Sequence, residues 1–209
     1  MKGISLYAPP CVSFSGDNGG ATGKGVTKDK ILVIRYVLPI DPATRAILVN
    51  ARLSDEDAII KRAYEGLRRY ANNHAQTYGR EVVYEDFVAT GNDTNQEAMK
   101  ADALTIANDK KAFAVIEGNP AAPIPTVFAK EVAARGVICI CTVSLTSRFY
   151  QERPPYIFSS LPTSTEYGTH MAEYIAKKLN GKPAKFAGDE LNPAQGYRNM
   201  PRKFGLIYI

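Results

Sequence analysis

The sequence predicts an α/β protein, a doubly wound, mainly parallel sheet with helices on both faces. Two observations carry that expectation. Residues 31–34, 112–116 and 137–142 are short, nearly continuous apolar runs, the composition of strands covered on both sides. Between strand-like segments lie stretches with helical spacing, and the alternation occurs five times with connections of ordinary length. Right-handed crossovers then place helices on both faces.

Residues 1–30 form a Gly- and Pro-rich lead-in, read as a strap over the domain. The first strand, 31–34, is followed by a long loop or partial turn over 38–52. A helix is expected from Ser54, capped by its hydroxyl with Asp57 three residues on. Its buried stripe would be Ile59, Ile60, Ala63, Leu67, Tyr70 and Ala71. The second strand spans 81–87. Thr94-Asn95-Gln96-Glu97 reads as a capping box opening a helix that buries Ala98, Ala101, Leu104 and Ala107. The third strand is 112–116. Pro125 suits the first turn of a helix ending at Gly136. Strands at 137–142 and 156–158 follow, and then a capping box, Thr163-Ser164-Thr165-Glu166, starts a helix reaching Leu179 and stopping at Asn180-Gly181.

The expected organisation is an N-terminal strap (1–30), an α/β ligand-binding lobe (31–181), a polar connection (182–202) and an apolar strand (203–209). That strand either adds to the edge of the same sheet or opens a second lobe cut short, and the second is the expectation because the connection before it is too long for a routine loop.

The totals exclude several classes. The chain has 209 residues, and no run of about 18 apolar residues spans a membrane. No hydrophobic core of the signal-peptide kind follows Met1-Lys2-Gly3, so no export leader is expected within these residues. The net charge is +5, but basic residues are interleaved with acids, as in Lys28-Asp29-Lys30, so no nucleic-acid footprint is expected. His74 and His170 lie far apart, and no metal-ligand spacing or cofactor motif appears. Cys139 and Cys141 alternate with isoleucines as buried strand residues, a poor geometry for pairing with each other. Cys11 could pair with a cysteine outside this sequence. The segment from Gly19 to Gly25 resembles a phosphate loop but has Gly25 where Ser or Thr is required, and it precedes the first strand. Ser144 lacks the flanking glycines of a hydrolase elbow. Asp86, Asp93 and Glu117 lie near strand ends, but nothing in the sequence sets them up as a pair for acid/base work, and Asn92-Asp93-Thr94 is a chance-frequency sequon. No catalytic set emerges, so the chain is not expected to be an enzyme.

Ligands of open parallel sheets bind beyond the carboxyl ends of the strands. Those tips are Tyr36 with Leu38-Pro39-Ile40, Glu117-Gly118-Asn119-Pro120, the 142–147 segment containing Ser144, Leu145 and Thr146, and Ser159-Ser160. Their hydroxyls and small residues suit hydrogen bonding to a small polar ligand, with Tyr150 and Tyr167 as candidates to line the pocket.

Gly16-Asp17-Asn18-Gly19-Gly20-Ala21-Thr22 and Gly25-Val26-Thr27-Lys28-Asp29-Lys30-Ile31 together resemble the approach to the first strand in substrate-binding proteins of branched-chain amino-acid-type ABC transporters. Ala187-Gly188-Asp189 and Arg202-Lys203-Phe204-Gly205-Leu206-Ile207-Tyr208 resemble that family's crossing into its second lobe. The resemblance implies the type I periplasmic-binding fold, whose two lobes close on a ligand. It also implies an extracytoplasmic solute-binding role with a membrane permease as partner. By position, the ligand loops would be Glu117-Gly118-Asn119 and Ser144-Leu145-Thr146. Glu117, Asn119 and the 38–52 insertion depart from the amino-acid binders. A ligand-sensing domain of a receptor or regulator with the same fold is the alternative.

Overall fold

The computed structural model describes residues 13–140, 145–152, 155–187 and 196–206. The chain divides into two compact units, residues 1–144 with 148–161, and 145–147 with 162–209.

The first unit holds a five-stranded, wholly parallel sheet of order β2-β1-β3-β4-β5. The strands are β1 (Lys30–Val37), β2 (Glu81–Val88), β3 (Ala114–Glu117), β4 (Ile138–Ile140) and β5 (Ile157–Phe158). Their helices are α1 (Pro42–Asn50), α2 (Asp57–His74), α3 (Gln96–Asn108), α4 (Thr126–Ala134) and α5 (Ser147–Gln151), whose first residue falls in the second unit. The α/β class and the parallel sheet read from the sequence are both present.

One sheet face packs the core. Ile34, Tyr36 and Val115 meet Met99, Ala103 and Ile106 of α3 and Phe128, Ala129 and Val132 of α4. Tyr36 stacks on Phe128 with ring centroids 3.8 Å apart, and its hydroxyl donates to Asp102 Oδ2 at 2.8 Å. Asp102 also accepts from the Thr90 amide and hydroxyl, so this buried carboxylate is fully engaged. Burial, reinforced by the bond to Asp102 and its charge, pushes the Tyr36 phenol far above its ordinary range.

Local expectations fail at four places, each for a legible reason. Residues 42–50 are helical, because the Asp41 side chain accepts from the Thr44 amide and Pro42 occupies the first turn. Ser54 is not the cap of α2, which starts at Asp57 after Glu56. The stripe predicted for α2 is mostly exposed, with Leu67 at 61%. Of that stripe Ile60 is buried, and Tyr64, Arg68 and Asn72 face inward beside it, because the sheet beneath presents polar groups. Arg68 donates to the Val82 carbonyl and Asn72 exchanges two bonds with the Val82 backbone. In α3 the cap is Asn95, not Thr94, and the buried set is Met99, Asp102, Ala103, Ile106 and Ala107, turned by the bonds Asp102 makes.

The described part of the strap is tied down by Arg80, whose guanidinium donates to the carbonyls of Asn18, Gly20 and Thr27. Cys139 is fully buried, as its place in an apolar strand implied, and it is disulfide-bonded, a pairing the sequence reading did not assign. Cys11 and Cys141 lie outside the described residues.

In the second unit, α6 (Ser164–Tyr174) begins with the predicted capping box. The Thr163 hydroxyl accepts from the Glu166 amide, and Glu166 accepts from the Thr163 amide. The helix continues as a π-helical turn, Ile175–Leu179, and stops at Gly181 with φ +70. Residues 203–206, the described part of the strand expected at 203–209, have no regular structure and pair with no strand among the described residues; residues 207–209 lie outside the described set.

Candidate functional site

The strand order places a topological switch between β1 and β3, whose carboxyl ends are Val37 and Glu117. The chain leaves β1 toward β2 on one side and returns to β3 on the other. The connections after β1, β2 and β3 therefore converge at the same end of the sheet.

There they enclose a cavity of about 740 Å³. Leu38, Pro39, Ile40 and Asp41 contribute from the first connection with Thr44 of α1, Asn92 and Asp93 from the second, and residues 121–126 from the third. The walls are mainly apolar, and the charged side chains among them, Asp41 and Asp93, are both acidic. The α4 amino terminus, at Pro125 and Thr126, also borders this space and has no side-chain cap. Its first-turn amides can serve a carboxylate.

The loop after β3 is held in one shape by its own bonds. The Gly118 amide donates to the Tyr36 carbonyl at 2.8 Å, and the Gly118 carbonyl accepts from Arg35 Nη2 at 3.0 Å. Asn119 Oδ1 accepts from the Ala121 amide, and Glu117 Oε1 accepts from the Ile124 amide. Gly118 is required for the approach to β1, since a Cβ there would lie 2.6 Å from Val37 Cγ2. Asn119 is 1% exposed, yet its Nδ2 finds no acceptor among the described residues. A buried donor of that kind is costly unless a ligand or water satisfies it.

Behind the loop, Arg35 is buried in β1. Its Nη1 meets Asp86 Oδ1 at 2.9 Å, and its guanidinium lies 4.4 Å from the Tyr64 ring centroid. Asp86 also pairs with Lys61 at 3.1 Å. Burial, the leading cause, raises the Tyr64 phenol above its ordinary value, with the Glu117 charge adding to it.

Of the residues singled out in the sequence, Leu38, Pro39 and Ile40 line the cavity, and Glu117, Gly118 and Asn119 lie in the segment that leads into its 121–126 wall. Leu145 and Thr146 belong to the second unit, where the Leu145 carbonyl accepts from the Ser164 amide. Tyr150 is half-buried in α5 of the first unit, 5.3 Å from Phe149 between ring centroids, and Tyr167 is exposed on α6 of the second. Ser144 lies outside the described residues. The sequence reading missed Asp41, Thr44 and Arg35. Asp41-Pro42 carries a helix-start signature, and Arg35 stands out as a charge within an apolar strand.

Among the described residues no group of His, Cys, Asp or Glu could hold a metal ion, and no helix is long and apolar enough to cross a membrane.

No family model matches the chain, and no curated protein matches it in sequence. Solved structures do match it in fold. An ABC transporter substrate-binding protein from Desulfitobacterium hafniense superposes with a TM-score of 0.50 at 15% identity, over 74% of this chain and 40% of that one. The same organism's protein in complex with Leu gives 0.50 at 14%, over 74% and 41%. A structure described as a putative branched-chain amino acid ABC transporter from Silicibacter pomeroyi gives 0.50 at 16%, over 76% and 38%. This chain therefore has the fold of part of these binding proteins, and it spans about 40% of the first neighbour's length.

Proposed function

We propose that the chain is the first lobe of an extracytoplasmic solute-binding protein that captures a small polar ligand, an amino acid or related molecule, for an ABC transporter. The observation carrying the reading is the crevice at the β1–β3 switch. It combines apolar walls, two carboxylates and an uncapped helix amino terminus, and the loop leading into it carries the unpartnered Asn119 amide. Those groups suit a zwitterion with an apolar side chain. Its carboxylate would take the α4 amides and its ammonium group would face Asp41 and Asp93, while apolar surface meets Leu38, Ile40 and Ile124.

The organisation follows from the same reading. Residues 31–181 are the first lobe, 182–202 the connection, and the segment from 203 the opening of a second lobe that supplies the other half of the cleft. Lobe closure couples capture to delivery, because only the closed form presents both lobes to a permease. Such a protein needs no catalytic residues. On this reading Ser144, Leu145 and Thr146 belong to a second ligand loop, and Tyr150 and Tyr167 contact the ligand.

The test is calorimetric titration of neutral amino acids into the complete product of the gene encoding this chain. Binding that weakens on Ser144→Ala, Thr146→Ala or Asn119→Ala supports the reading. Affinity unchanged in all three removes these residues from the site, and an absence of amino-acid binding defeats the ligand class.

A further inference from the structure

At the other end of the sheet, a second cavity of about 860 Å³ lies among the amino-terminal halves of β1 and β2, the carboxyl end of α3 and the 23–27 turn. Leu32 and Val83, paired across β1 and β2, form its apolar wall with Val26 and Ala107. Lys24, Lys30, Lys110 and Lys111 border it, and no acidic side chain does. Two of these lysines are engaged. Lys24 Nζ donates to the Arg135 carbonyl at 2.7 Å, and Lys110 pairs with Glu85. Among the described residues, the Lys30 and Lys111 ammonium groups have no partner.

Backbone, not side-chain packing, fixes this wall. The Leu32 amide donates to the Gly25 carbonyl at 2.8 Å, and Val26 bridges Ile31 in antiparallel fashion. Gly25 has φ +69, and a Cβ on it would fall 2.1 Å from the Phe113 amide nitrogen. The turn therefore packs backbone against backbone and cannot collapse into the space.

We propose that this cavity binds an amphipathic monoanion, a carboxylate on a short alkyl chain. The head group sits with Lys30 and Lys111, and the chain lies on Val26, Leu32, Val83 and Ala107. A wholly polar anion would leave the apolar wall wet, and a neutral apolar molecule would make no use of the two ammonium groups. The site is distinct from the β1–β3 crevice and does not depend on the function proposed for it.

The experiment titrates octanoate, below its micellar range, into the ¹⁵N-labelled chain and follows backbone amide shifts. The expected result is saturable shifts confined to residues 24–32, 83 and 107–111. Affinity should fall about tenfold in the Lys30→Gln/Lys111→Gln double variant, and octanol should bind correspondingly more weakly than octanoate. Both lysines are exposed, so the double variant keeps its fold. Shifts that are absent, that centre on another surface, or that saturate equally in the double variant or with octanol overturn the proposal.

Discussion

Arg35 donates from Nη2 to the Gly118 carbonyl at 3.0 Å, and so joins the buried charge of β1 to the loop that shapes the crevice. The same guanidinium meets Asp86 of β2 at 2.9 Å. One side chain thus spans β2, β1 and the connection after β3, and the loop geometry depends on a pair of charges largely out of water.

Replacing Asp86 by Asn should leave the Arg35 charge buried and undercompensated. Because Asp86 is partly exposed, the expected cost is about 1–3 kcal/mol, below that of a fully buried pair. Urea unfolding measures it, and an unchanged midpoint contradicts the clamp.

Gly118→Ala tests the close approach directly. The new Cβ would meet Val37 Cγ2 at 2.6 Å and the Tyr36 carbonyl oxygen at 2.8 Å. Overpacking of this kind costs about 1–3 kcal/mol. The expected signature is a lower unfolding midpoint together with altered amide shifts at Asn119 and Ala121.

The Tyr36 phenol carries a pH signature. Its folded pKa is raised, and the unfolded value is about 10. The stabilisation is therefore complete below pH about 10 and lost as pH rises beyond it, when only the unfolded state ionises. Tyr36→Phe should cost about 1–3 kcal/mol at neutral pH and flatten that alkaline loss. Denaturant midpoints across the alkaline range measure both.

In α6, Glu166 has a lowered pKa, first through the bond from the Thr163 amide and then through the bond from its hydroxyl. The cap is intact above the ordinary Glu value of about 4.3 and weakens as pH falls below it. Thr163→Ala should reduce α6 helicity at neutral pH, at a cost of about 1 kcal/mol. Circular dichroism over acid pH distinguishes the two proteins.

The strands and their alternation with helices were legible because buried runs and capping signals act locally. Pro125, Gly136, Thr163 and Gly181 all mark the ends the sequence implied. Which helical face turns inward was not legible in α2 or α3. There the deciding partners, Val82 for Asn72 and Tyr36 for Asp102, lie on distant strands. In the loop after β3, Gly118 and Asn119 could be named from their place after a strand. Asp41, Asp93 and the uncapped α4 terminus required the loops to be brought together in three dimensions.

The most direct measurement follows the Asn119 side-chain amide of the ¹⁵N-labelled chain as neutral amino acids are added. The account predicts saturable shifts of that group and of the Gly118 and Ala122 amides, weak if this lobe offers half a cleft. An Asn119 signal that stays fixed at millimolar ligand, or shifts confined to residues outside the β1–β3 crevice, would contradict it.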